Sequence, residues 1–148
     1  METINKIKKE APSPLLIVII FVATVGFFVF GGRGVGSIQS VNIAEQNIKV
    51  DLALTPDEHA QGLSGRVVLE EDEGMLFVFD QPDKYFFWMK DMNFPIDMIW
   101  IGEDFKIVYI KHNALPENFL ETYGPDADAK YVLEVVSGFA EKNNIQEG

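Results

Sequence analysis

The chain has 148 residues, with 12 basic and 23 acidic side chains, a net charge of −11 and no cysteine. This length suffices for one ordinary domain and a short appendage. Without cysteine, the protein has no disulfide bond, no thiolate nucleophile and no thiolate zinc site. From residue 41 onward there are eight basic and 21 acidic residues. This part therefore repels nucleic acid and anionic lipid headgroups, and we expect neutral or cationic partners.

The N-terminal region contains an uncharged apolar segment, LLIVIIFVATVGFFVF at residues 15–30, preceded by three lysines at positions 6, 8 and 9. As a helix rising ~1.5 Å per residue, it spans about 24 Å, and the two glycines that follow extend it toward the ~30 Å hydrocarbon core. The lysines favour a cytoplasmic N-terminus. We predict a cytoplasmic N-terminus at 1–13, a single-pass transmembrane signal anchor at 14–32, a linker at 33–37 and an extracytoplasmic domain at 38–148.

Two other interpretations of this segment remain open. Small residues at Val35-Gly36-Ser37 fit a signal-peptide cleavage site, which predicts a secreted domain. The apolar segment is longer than the ~7–15 residues of a usual signal-peptide core, which favours a retained anchor. A helix buried in the globular domain is the second alternative, but it leaves the flanking lysines and glycines unexplained. Both leading interpretations place the domain outside the cytoplasm.

The first elements of the domain are two short strands at 38–44 and 48–54, joined by a turn at 45–47. A helix then begins at Thr55, which can act as the N-cap. Pro56 suits the first helical position, and Glu58 completes a capping box. The helix is short and runs toward Gly62.

Three stretches that follow, 75–79, 85–89 and 98–101, are apolar at every position. A strand with one face in water alternates apolar and polar residues, so these strands need both faces covered, or one face binds a ligand. We predict a hairpin between 97–101 and 105–111, a long loop at 113–128 and a final strand at 130–136. Ser137 is predicted to cap a short helix through Asn143. The fold class is mainly β, a small sandwich or partly open barrel with two short helices.

Several short motifs occur in a characteristic order. They are Gly62-Leu63 with Arg66, Gly74-Met75-Leu76-Phe77, Phe87-Trp88-Met89-Lys90, Pro95-Ile96-Asp97, and Leu133-Glu134 followed by Gly138. From about Ile48 to Gly148 the chain resembles the family catalogued as domain of unknown function 192. The resemblance implies a compact, mainly β fold and no established reaction. It also implies a further hydrophilic turn and strand after the position of Gly148, so the closing edge of the sheet is an open question.

Asp97 is the strongest candidate for a functional residue, because a carboxylate directly before an apolar run is costly to bury unless it is paired. Arg66 and Lys90 are the natural partners. In one interpretation the three form a polar cluster beside Trp88 at the mouth of a pocket and bind a sugar or small polar ligand. In the other, the same residues form an internal salt bridge that fixes the loop around Pro95.

The tryptophans and methionines each allow a functional and a structural interpretation. Trp88 and Trp100 suit a carbohydrate platform, but tryptophan in a small domain is more often in the core, and we favour the core for both. Met75, Met89, Met92 and Met98 suit a soft-metal site, but methionine is a common gap filler in cores, and we favour that role. We predict no metal and no cofactor.

Hydrolase motifs are weak. Gly62-Leu63-Ser64-Gly65 lacks the spacing of a nucleophile elbow, and His59 and His112 are the only histidines. Nothing in the spacing indicates that Asp97 and Glu134 converge as a glycosidase pair. We predict a domain that binds a small polar ligand or glycan. The alternatives are a protein-interaction or structural module of the cell envelope, and an unrecognised hydrolytic enzyme that uses Asp97.

Overall fold

The computed structural model describes residues 39–148. They form one open six-stranded sheet with two short α-helices and a 3₁₀-helix. The elements in chain order are β1 (Gln39–Ile43), β2 (Gln46–Ala53), α1 (Pro56–Gln61), β3 (Glu73–Asp83), β4 (Ile96–Ile101), β5 (Ile107–Ala114), the 3₁₀-helix (Pro116–Asn118), β6 (Ala129–Val136) and α2 (Phe139–Lys142). The strand order is β1-β2-β3-β6-β4-β5, and β2 and β3 form the parallel pair, while the other neighbours are antiparallel.

Both faces of this sheet are covered by other parts of the chain. Successive side chains of a strand point to opposite faces, so Trp100 and Val132 lie on a front face and Ile99 and Leu133 on a back face. Three connecting segments pack on the front face: 54–72, 84–95 and 115–128. The C-terminal segment with α2 packs on the back face. The expected two-sided burial of the apolar strands is therefore confirmed.

The arrangement differs from the sequence-based prediction in two respects. The strands form a single open sheet, not a sandwich or partly open barrel. The predicted strand at 85–89 is wrong, because β6 occupies the place between β3 and β4 and excludes this stretch from the sheet. The stretch belongs to the middle front segment, 84–95, and Phe87 makes only an isolated bridge to Tyr123.

The predicted start of α1 is confirmed. The Thr55 hydroxyl accepts a hydrogen bond from the Glu58 amide at 3.3 Å, and the Glu58 carboxylate accepts one from the Thr55 amide at 2.9 Å. Hydrogen bonds from the backbone amides of Leu54 and Thr55 lower the pKa of Glu58, since they stabilise its charged form. The reciprocal pair fixes the direction in which the first front segment leaves β2.

The predicted cap of α2 is wrong. Gly138 occupies the N-cap with a φ of 85°, a left-handed conformation that favours glycine, and makes no side-chain cap. The Ser137 hydroxyl instead donates to the Asn113 side-chain oxygen at 2.8 Å. Serine is a good N-cap residue, but here the turn places glycine one residue later at that position.

The edge beside β5 is partly covered by the last residues of the chain. The Gly148 amide donates to the Ile107 carbonyl at 2.9 Å, and the Ile110 amide donates to the Glu147 carboxylate at 3.1 Å. These bonds occupy backbone groups that an edge strand leaves free.

The predicted anchor at 14–32 lies outside the described residues. Within residues 39–148, neither helix has the length and apolar character needed to cross a lipid bilayer.

The capping box gives a direct test of the α1 boundary. Replacing Thr55→Ala removes the hydroxyl acceptor and should lower the free energy of unfolding by about 1 kcal/mol. Thr55→Ser keeps the acceptor and is the matched control, with an expected change near zero. Urea denaturation measures both, and equal losses in the two variants would contradict the capping role.

Candidate functional site

A cleft opens on the front face between the middle segment, 84–95, and the last segment, 115–128. Its volume is about 610 Å³, within the ~300–1,000 Å³ typical of small-molecule sites. It is lined by Trp88, Met89, Lys90, Asp91, Met92, Pro116, Phe119 and Leu120. Most of these side chains are apolar, and the polar groups come from two adjacent residues of one wall.

Backbone hydrogen bonds hold the two walls of the cleft together. The amides of Phe87 and Tyr123 each donate to the other residue's carbonyl at 2.8 Å. On its other side, the middle segment is bonded to the first one: the Gly65 amide donates to the Asp91 carbonyl at 2.8 Å, and the Ser64 hydroxyl donates to the Lys90 carbonyl at 2.8 Å. The middle segment is thus fixed on both sides, which gives the cleft a defined wall.

Trp88 faces the cleft and not the core, so the favoured core interpretation of this residue is wrong. Its side chain is 53% exposed, whereas Met89 next to it is fully buried and Phe87 packs on the front core. Along 85–89 the side chains alternate between covered and exposed, and Trp88 occupies an exposed position. Trp100 is fully buried, and its indole N–H donates to the Tyr85 carbonyl at 2.8 Å, so its core role is confirmed.

Lys90 shares the cleft wall with Trp88. Its ammonium nitrogen lies 5.4 Å from the centre of the Trp88 ring, within the range of a cation–π interaction. No carboxylate among residues 39–148 forms an ion pair with Lys90. Its charge is therefore available to a ligand in the cleft.

Arg66 lies apart from this pair, in the first front segment. Its guanidinium forms an ion pair with Asp51 of β2. The Arg66 carbonyl accepts a hydrogen bond from the Asn93 side chain at 2.7 Å, which ties the first segment to the middle one. Of the four residues predicted to bind a ligand, the structure brings together only Trp88 and Lys90.

Asp97 lies on the opposite side of the sheet from Lys90 and Arg66. It is fully buried, and its two carboxylate oxygens accept hydrogen bonds from the amides of Asn113 and Ala140, each at 2.9 Å. Asp97 points to the back face because it pairs with Val135 of β6. The expected ion pair with Arg66 or Lys90 is thus not formed, and Asp97 instead caps α2 from a neighbouring strand.

Glu134 is a buried acid that sequence reasoning did not single out as a site residue. It is 4% exposed on the front face, and Oε2 has no hydrogen-bond partner among the described residues. Burial raises the pKa of its carboxyl to about 8, since loss of water disfavours the charged form. A signal was present in the sequence, because Glu134 is the only acidic residue of an otherwise apolar strand core. Glu134 and Asp97 lie on opposite faces, so they do not form a glycosidase pair.

Comparison with known protein families identifies the domain. Residues 38–148 match the family model of domain of unknown function 192, DUF192, which is described as an uncharacterised ACR. The chain belongs to the DUF192 family. The resemblance carried by the Gly-Met-Leu-Phe, Phe-Trp-Met-Lys and Pro-Ile-Asp motifs is therefore confirmed. No curated protein matches the chain.

Solved structures with the same fold include two bacterial proteins. A protein of unknown function from Novosphingobium aromaticivorans DSM 12444 is 30% identical, with a TM-score of 0.69, over 78% of this chain and 86% of that one. A protein from Sinorhizobium meliloti 1021, provisionally named a transcription regulator, is 32% identical, with a TM-score of 0.67, over 70% of this chain and 79% of that one. These similarities support the sheet architecture described above.

The capping role of Asp97 predicts a large loss of stability when its carboxylate is removed. Asp97→Ala should lower the free energy of unfolding of the DUF192 domain by about 3 kcal/mol or more, because each bond to a charged group is worth roughly 1.5–3 kcal/mol. Asp91→Asn is the control, since Asp91 is exposed with a φ of 56° that asparagine tolerates. Equal unfolding midpoints for Asp97→Ala and the unsubstituted protein would contradict this role.

The raised pKa of Glu134 predicts a pH-dependent difference between the protein and its Glu134→Gln variant. Between pH 4.5 and about 8, the acid is ionised in the unfolded chain but protonated in the folded one. The stabilising contribution of Glu134 is fully present below pH 4.5 and is lost as the pH rises through the pKa of its carboxyl in the folded state. The unsubstituted protein should lose up to about 1.4 kcal/mol per pH unit relative to Glu134→Gln.

Urea denaturation of both proteins at pH 5, 6.5 and 8 measures this difference, because all other groups titrate alike in the two. Parallel pH profiles would show that Glu134 is ionised in the folded domain.

Proposed function

We propose that this DUF192 domain is a binding module, tethered to the outer side of the cell membrane by the segment at 14–32, whose cleft takes a small polar ligand or glycan. The observation that carries the proposal is the position of Trp88, half-exposed on the wall of a cleft of about 610 Å³. A large aromatic side chain at the edge of such a cleft offers a flat surface on which a sugar ring can stack.

The polar residues of the cleft complement such a ligand. The Lys90 ammonium supplies hydrogen-bond donors and the Asp91 carboxylate supplies acceptors, as the hydroxyl groups of a sugar require. Phe119, on the facing wall, is 49% exposed and offers a second apolar surface. A sugar ring held between Trp88 and Phe119, with its hydroxyls toward Lys90 and Asp91, contacts both the aromatic and the charged side chains of the cleft.

Docking of a protein partner in the envelope is the second candidate function. It is favoured by Val67 and Leu120, apolar side chains that are 86% and 85% exposed. Leu120 lines the cleft and Val67 lies on the neighbouring front segment. Exposed apolar side chains of this kind mark interaction surfaces when they are contiguous.

A hydrolytic function of Asp97 has no support in this geometry. Both oxygens of its carboxylate accept backbone hydrogen bonds, and the side chain is fully buried on the back face. An acid or base must reach the group whose proton it transfers, and Asp97 is separated from the cleft by the sheet. We therefore propose binding and not turnover.

The two tryptophans make the proposal directly testable. Trp88 and Trp100 are the only tryptophans of the chain, and Trp100 is fully buried, so a ligand in the cleft should change the emission of Trp88 alone. We expect titration of the full chain in detergent with N-acetylglucosamine oligosaccharides and peptidoglycan fragments to shift that emission. Trp88→Ala lacks this reporter, so its affinity is measured by isothermal titration calorimetry; it should bind about tenfold more weakly, which corresponds to ~1.4 kcal/mol.

Phe105→Ala is the matched control, because Phe105 is 76% exposed and lies in the β4–β5 turn, away from the cleft. It should leave affinity unchanged. If neither the glycans nor the fragments bind, the small-ligand proposal fails and the docking function becomes the better explanation of the exposed apolar residues.

A further inference from the structure

Methionine is distributed unequally between the two cores of the sheet. Met75, Met89, Met92 and Met98 all lie in the front core or pack against it, and we call them the front methionine cluster. The back core contains none and is built from aliphatic side chains with one phenylalanine. Methionine is a common gap filler in cores. Gap filling alone does not explain why all four lie on the face that also holds the buried Glu134.

Glu134 lies between two members of this cluster. In the sheet register, Glu134 of β6 is opposite Met75 of β3 on one side and Met98 of β4 on the other. Side chains directly opposite each other on one face have Cβ atoms about 4.5–5.5 Å apart. The Glu134 carboxyl is therefore flanked by a thioether on each side, and its Oε2 has no hydrogen-bond partner among the described residues.

No cation of the domain neutralises this carboxyl. The same row of the front face continues to Asp51 on β2 and to Lys111 on β5. Asp51 is paired with Arg66, and the Lys111 ammonium lies 4.5 Å from the centre of the Tyr123 ring. Each lies two strands away from Glu134, and no ion pair involving Glu134 is formed within residues 39–148.

The other two methionines of the cluster belong to the middle segment, 84–95, and not to a strand of the sheet. Met89 and Met92 line the cleft wall and also contribute to the front core. Met92 is only half-buried, and the Met92 amide donates to the Met89 carbonyl at 3.3 Å in a tight turn. These two methionines are therefore part of the cleft wall, and the pair beside the carboxyl is Met75 and Met98.

The chemistry of these groups selects one class of ion. Thioethers are soft ligands that favour Cu(I), whereas calcium needs six to eight oxygen ligands and magnesium an octahedral set. Within residues 39–148, no three histidine, aspartate or glutamate side chains come together as a metal site. One carboxyl flanked by two thioethers thus suits a soft monovalent ion, whose charge a single carboxylate balances.

We infer that Met75, Met98 and Glu134 form a binding site for a soft monovalent cation of the Cu(I) class. Met75 and Met98 supply the coordinating sulfur atoms. Glu134 releases its proton to solvent when the ion binds, and its carboxylate then compensates the charge of the ion in the core. The site is separate from the ligand surface at Trp88 and does not depend on the function proposed for it.

The test is an anaerobic titration of the full chain in detergent with Cu(I), in competition with a chromophoric Cu(I) chelator, repeated with Ag(I) as a redox-stable probe. We expect one ion per chain and a raised unfolding temperature of the loaded protein, since an ion that binds only the folded state stabilises it. The ¹³C-methyl resonances of Met75 and Met98 should shift with the same stoichiometry.

Three variants separate the site from adventitious binding. Glu134→Gln and the double variant Met75→Leu with Met98→Leu should each weaken binding at least tenfold, and the leucine changes conserve core volume so that the domain folds. Glu141→Gln, an exposed acid on α2, is the control and should bind like the unsubstituted protein. Circular dichroism verifies folding in each case. The inference is overturned if binding is not stoichiometric, or if the Glu134 and methionine variants bind the ion as tightly as the unsubstituted protein.

Discussion

The structure depends on one constraint: the central strands of the sheet must be buried on both faces. Every side chain of β4 from Ile96 to Trp100 is buried, and β6 beside it is buried from Val132 to Val135. Two such strands side by side cannot leave either face in water. The other segments within residues 39–148 consequently cover the sheet, with three segments on the front face and the C-terminal segment on the back. Long connections with little regular structure, unusual in small domains, are explained by this requirement.

The same constraint explains why the two faces differ in character. The back cover is short and regular, and it is fastened by a carboxylate, Asp97, that has a hydrogen-bond donor for each oxygen. The front cover consists of three separate segments joined by hydrogen bonds between loops. Gaps between such segments form a cleft more readily than a helix packed on a sheet. The unsatisfied buried acid, the methionines and the exposed tryptophan all lie on this less regular side.

Much of the fold could be predicted from sequence because it depends on local pattern. The uninterrupted apolar run before Ile101 indicated two-sided burial, and Thr55 with Glu58 indicated the start of α1. The hydrogen-bond partners of Asp97 could not be predicted, because the face to which its side chain points depends on the register between β4 and β6. Local sequence does not determine that register. Trp88 was misassigned for a similar reason: 85–89 is apolar like a central strand but lies over the sheet. The surroundings of Glu134 likewise come from pairings between strands distant in sequence.

The backbone bridge between Phe87 and Tyr123 has a mechanical consequence. These two loop residues, 36 positions apart in sequence, are joined by a pair of hydrogen bonds like those of a sheet. Opposite walls of the cleft are therefore joined beside the bridge, and separating them there requires breaking both hydrogen bonds. The width of the cleft at this point is thus set by backbone pairing and not by the length of either loop.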